Sequence, residues 1–66
     1  MTEKMKGREV IFEFQPMGAI MRVTAMDTKT MTEVILQCPI NAGERVFQAN
    51  ALKKLEYMLR KKGIIE

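Results

Sequence analysis

Residues 9–26 read EVIFEFQPMGAIMRVTAM, and the alternation on either side of Pro16 decides the architecture. In extended backbone successive side chains point to opposite faces. Val10, Phe12 and Phe14 therefore share one face, with Glu9, Ile11 and Glu13 on the other. Beyond the proline, Ala19, Met21, Val23 and Ala25 alternate with Ile20, Arg22, Thr24 and Met26. Farther along, Thr32, Val34 and Leu36 alternate with Met31, Glu33, Ile35 and Gln37. These period-2 segments predict three strands, over about 9–15, 20–26 and 31–37.

The turns constrain how the strands pair. If Phe14, Met21 and Leu36 share a face, each plain hairpin needs an even number of loop residues. Asp27-Thr28-Lys29-Thr30 fits as a four-residue loop and sets Met26 opposite Met31. Pro16, with φ held near −65°, does not fit a primed two-residue turn, so Pro16 to Ala19 is the expected first loop. That register places Phe14 opposite Met21, Phe12 opposite Val23, Val10 opposite Ala25, Ile11 across from Thr24, and Glu13 opposite Arg22. The last pair is an opposite-charge contact worth about 0.2–1 kcal/mol. The rival is a three-residue loop with a bulge at Gly18, pairing Phe12 with Arg22.

Pro39 ends the third strand, and Asn41-Ala42-Gly43-Glu44 reads as a capping box with Asn41 as N-cap. A helix is predicted over about 42–62. Phe47, Ala51, Leu52, Leu55, Met58 and Leu59 make its apolar stripe, and Arg60, Lys61 and Lys62 suit the negative end of its dipole. Gly63 reads as the left-handed stop that returns Ile64 against Leu59. The fold class is thus α+β: a three-stranded antiparallel meander with one C-terminal helix on one face, in the order βββα. One helix covers one face, so the other is left bare.

Length and composition agree with a single small domain, residues 9–66, behind a flexible tail at 1–8. At 66 residues with 47% hydrophobic and 29% charged side chains, the chain is globular in character, near the lower size for a core without staples. No apolar run approaches the roughly 20 residues of a bilayer span. The opening MTEKMKGR lacks the apolar stretch of a signal peptide, and the single Cys38 makes no internal disulfide; both point to a reducing cytoplasm. The net charge of +3 is uneven: +2 over residues 1–8, −3 over 9–44 and +4 over 45–66.

The segments Glu9-Val10-Ile11-Phe12-Glu13-Phe14, Val23-Thr24-Ala25-Met26-Asp27, Thr32-Glu33-Val34 and Lys54-Leu55-Glu56-Tyr57 together resemble a family of very short, uncharacterised bacterial proteins. The likeness spans residues 9–62. Met31 stands where such a turn would more usually carry a glycine. The resemblance implies a compact bacterial domain with no assigned activity, and lends no site.

Candidate chemistry is sparse. Without histidine there is no imidazole base or metal ligand, and one cysteine builds no zinc site. Glycines at 7, 18, 43 and 63 form neither a phosphate loop nor a dinucleotide fingerprint. Cys38 reads as a passive thiol, and Glu9 and Glu13 as solvated charges. The expectation is a non-enzymatic protein with no cofactor, metal or membrane partner.

Two surfaces remain. The outer sheet face carries Ile11, Ile20, Met26, Met31 and Ile35, a set suited to a weak homodimer or a protein partner. The helix back carries Lys53, Tyr57, Arg60 and Lys61, cations around an aromatic ring that suit nucleic acid; an ordinary solvated helix face is the favoured reading there.

Overall fold

A computed structural model describes residues 7–65; most of the expected tail, residues 1–6, lies outside them. Three strands, β1 (Val10–Met17), β2 (Ile20–Asp27) and β3 (Thr32–Pro39), form an antiparallel meander in the order β1-β2-β3. A short 3₁₀ turn, Ile40–Ala42, leads into the helix α1 (Glu44–Lys61). The βββα architecture and the facing of every strand follow the alternation read from the sequence.

The first hairpin is two residues tighter than expected, both gained by β1. Its loop is Gly18-Ala19 alone, closed by Met17 opposite Ile20. Gly18 has φ 63° and is followed by a non-glycine residue without positive φ, the pattern of a type II′ turn. Phe14 therefore faces Val23, Phe12 faces Ala25 and Val10 faces Asp27. On the other face Ile11 meets Met26, Glu13 meets Thr24, and Gln15 rather than Glu13 meets Arg22.

Pro16 sits within β1 for a reason found in the ladder. Two bonds just past the strand ends set its phase: Thr28 N–H donates to Glu9 O at 3.1 Å, and Ile40 N–H to Ala19 O at 3.0 Å. Antiparallel residues alternate between pointing their N–H and C=O at one neighbour and at the other side. By that alternation Ile11, Glu13, Gln15 and Met17 bond to β2, whereas Val10, Phe12, Phe14 and Pro16 face the open edge. Pro16 lacks an N–H where no ladder bond is needed, the position that a sheet edge tolerates.

The second hairpin carries a four-residue loop, Thr28 to Met31, shifted by one residue so that Asp27 pairs with Thr32 and Met26 with Glu33, not Met31. Met31 is left-handed at φ 61°. Its N–H donates to Asp27 O at 2.8 Å, and the Asp27 side chain holds the same loop from within. Asp27 Oδ2 accepts from Thr30 Oγ1 (2.7 Å), Thr30 N–H (3.1 Å) and Arg8 Nη1 (2.9 Å). Arg8, assigned to the tail from sequence, is thereby tied to the sheet. Burial by itself raises the Asp27 carboxyl; the bonds from Thr30 and the Arg8 charge outweigh it and hold the group below its ordinary value of 3.8.

The helix begins two residues later than expected, and no capping box forms. Asn41 lies in the 3₁₀ turn, and the residue before the helix is Gly43, at φ 99° and ψ 154°. That region of backbone space is essentially reserved for glycine, so the chain's change of direction rests there rather than on an Asn41 bond. At the other end the Schellman stop is formed: Gly63 N–H donates to Arg60 O and Ile64 N–H to Leu59 O, at 3.0 and 2.9 Å.

Phe47, Ala51, Leu55 and Leu59 are the buried line of α1, packed on Val23, Ala25, Val34 and Cys38. The helix lies chiefly over β3 and β2 and reaches β1 through Phe47, whose ring is 5.8 Å from that of Phe14. A helix about 10–12 Å across covers roughly two strands spaced about 4.8 Å apart. The third strand is left over: Val10, Phe12 and Phe14 touch the core yet remain half-buried.

Two outcomes follow for the second hairpin. Met31→Gly relieves a left-handed strain of about 1–2 kcal/mol against an unfolded-chain entropy loss of about 0.5–1, so urea unfolding should show stabilisation of up to about 1.5 kcal/mol. Asp27→Asn should destabilise by about 1–3 kcal/mol at neutral pH. Because the folded carboxyl titrates below its unfolded value, its contribution is present above about pH 4 and fades as pH falls through the folded pKa. Denaturation at stepped pH should show the gap between wild type and Asp27→Asn closing only on that acid limb.

Candidate functional site

The ladder arranges the outer sheet face in rungs, each reading from β1 to β3. Met17, Ile20 and Pro39 make one, followed by Gln15, Arg22 and Gln37, then Glu13, Thr24 and Ile35, then Ile11, Met26 and Glu33. No other element of the described chain lies over this face. Ile11 is 47% exposed and Ile35 is 40% exposed, while Ile20 and Met26 are half-buried.

This geometry divides the five apolar residues read from the sequence. Ile11 and Met26 are cross-strand partners, and Ile35 is diagonal to Met26, within reach of a long side chain. Ile20 lies three rungs from Met26, beyond the polar row of Gln15, Arg22 and Gln37, and groups instead with Met17 and Pro39. Met31 is exposed, in the loop, and has no cross-strand partner in the ladder.

A shallow depression of about 350 Å³ opens on the middle of the face. Glu13, Gln15, Arg22, Thr24, Glu33 and Ile35 surround it. Its rim mixes two carboxylates with one guanidinium, which suits hydrogen bonding to a peptide or side chain at the surface. Among the described residues no group of three or more Asp, Glu, Cys or His side chains is placed to hold a metal ion. No helix among them is long and apolar enough to cross a membrane.

On the helix back, Lys53, Tyr57, Arg60 and Lys61 are all exposed, Tyr57 by 57%. Lys53, Tyr57 and Lys61 follow one another at four-residue spacing and share one face of the helix. Arg60 is engaged elsewhere, its Nη2 2.9 Å from Glu56 Oε1. Cys38 is a free thiol buried under the helix, where it packs as a small apolar group.

One structural feature escaped sequence reasoning, namely the unequal finish of the sheet's two edges. Lys54 Nζ donates to Ile35 O at 2.8 Å, covering the middle of the β3 edge. Nothing in the one-dimensional pattern marks Lys54 apart from its neighbour Lys53; helix phase and packing angle select it. The β1 edge, with the backbone groups of Val10, Phe12 and Phe14, receives no such cover from the described residues.

The model of a family described as a domain of unknown function (DUF6898) matches residues 7–62. No curated protein and no solved structure matches the chain.

Proposed function

We propose, from the premise that the chain belongs to the DUF6898 family, that it is a small non-enzymatic interaction domain whose outer sheet face docks a protein partner. The observation that carries this reading is the uncovered cluster of Ile11, Met26 and Ile35 beside a polar-rimmed depression. An apolar cluster left in solvent gains on burial by roughly 25 cal/mol per Å², and the neighbouring Glu13, Arg22 and Glu33 supply orientation. The polar row that separates Ile20 from this cluster keeps the patch small, so the interface is weak and exchangeable rather than permanent. A reducing cytoplasm is the compartment in which we place it, given one free and buried thiol.

The alternative reading, association with nucleic acid, draws on Lys53, Tyr57 and Lys61 along one helix face. It requires salt-sensitive binding, because affinity for phosphate falls steeply as counterions compete.

Isotope-labelled protein in a clarified native cell extract separates the two. Amide broadening or shifts should centre on Ile11, Met26 and Ile35, and Ile35→Glu should abolish them. The same substitution, at an exposed position, should change unfolding free energy by no more than about 0.5 kcal/mol. Perturbation confined to Lys53, Tyr57 and Lys61 and removed by salt favours nucleic acid; a spectrum unchanged throughout sinks both.

A further inference from the structure

The two edges of the sheet are not equivalent, and the difference points to a partner. On β3 the edge-facing groups belong to Glu33, Ile35 and Gln37, and Lys54 already occupies the central carbonyl. On β1 they belong to Val10, Phe12 and Phe14, whose side chains are also the half-buried rim of the core. An open edge bordered by apolar side chains is a template for another strand. We infer that β1 pairs antiparallel with β1 of a second copy, about a twofold axis through Phe12, to make a continuous six-stranded sheet.

The strand's own sequence selects both the occupant and the register. Pairing through the edge-facing groups requires an even-numbered residue opposite an even-numbered one. With Val10 opposite the partner's Phe12, Glu9 would meet Glu13 directly. With Phe12 opposite the partner's Phe14, the two Glu13 residues would meet each other and Pro16 would displace a donor opposite Val10. The register centred on Phe12 avoids these conflicts. Phe12 then pairs with its symmetry mate, Val10 with Phe14, Ile11 with Glu13 and Glu9 with Gln15, and Pro16 falls opposite Arg8, beyond the paired strands.

Packing agrees with this register. A twofold axis perpendicular to the sheet places both helices on the same face. Each lies chiefly over β2 and β3 of its own copy, so among the described residues the strip above the two β1 strands is covered only in part, by Phe47. Phe12, Phe14 and Phe47 already form one aromatic row in each copy, with ring centroids 6.3 and 5.8 Å apart. The seam joins two such rows and covers the half-exposed faces of Val10, Phe12 and Phe14. This interface is separate from the outer-face cluster and does not depend on that reading.

Sedimentation velocity and amide hydrogen exchange, run on the full chain from about 10 μM to 1 mM, test the proposal. A concentration-dependent dimer is expected, with the Phe12 and Phe14 amides becoming protected as it forms while those of Glu33 and Ile35 stay fast. Gln15 is exposed and gives a test of register without threatening the fold. Gln15→Lys, set against the partner's Glu9, should tighten association, and Gln15→Glu should loosen it. Each change is about two- to thirtyfold, since symmetry repeats every cross-strand pair. Within one chain Gln15 faces Arg22, so single-chain stability should move in the opposite sense. Ile35→Glu should leave the dimer intact. The inference is overturned by a monomer throughout the range, by a dimer whose Phe12 and Phe14 amides remain fast, by a reversed Gln15 response, or by loss of the dimer in Ile35→Glu.

Discussion

One helix has to cover a sheet wider than itself, and the rest of the molecule follows from that mismatch. The buried line of Phe47, Ala51, Leu55 and Leu59 seats on β2 and β3, where Val23, Ala25, Val34 and Cys38 are fully or nearly fully removed from water. The third strand gets the remainder. Val10, Phe12 and Phe14 are joined to the core through the Phe14–Phe47 contact without being closed over. The mismatch therefore produces the apolar rim of the β1 edge, while the outer face is bare because the one helix lies on the other side of the sheet.

A small domain with so modest a core relies on its turns, and the second hairpin shows how. A buried carboxylate is costly unless its oxygens find donors. Asp27 finds them within a few residues, from Thr30, and across the sheet from Arg8. The same network pins the loop tightly enough to keep Met31 in a left-handed conformation that a side chain ordinarily avoids. Its other oxygen, Oδ1, is buried with no partner among the described residues, so the cluster is not fully satisfied.

Edge treatment separates the two sides of the sheet. Lys54 reaches from the helix to β3 because the helix lies chiefly over that side, and the same placement leaves the β1 edge on the far side of the sheet from Lys54. Pro16 is tolerated on β1 for a related reason, since its missing donor faces outward. A single packing offset thus decides which edge is finished and which is left uncovered by the described residues.

Strand facing, the antiparallel order and the helix stripe were legible in the sequence because each rests on a local periodicity, two residues for a strand and 3.6 for a helix. The helix stop at Gly63 was legible too, since a glycine after a basic last turn has few other uses. The first hairpin's register was not. A slip of two residues preserves every facing, so alternation alone does not distinguish Phe14 opposite Met21 from Phe14 opposite Val23. Nor did the pattern reveal Gly43 in place of Asn41 at the helix start, because both residues suit a cap and only the path from β3 demands positive φ. The amino-acid sequence by itself determined which side chains share a face. The tertiary structure decided which of them are covered, because coverage depends on where a helix of fixed width comes to rest on a sheet of three strands.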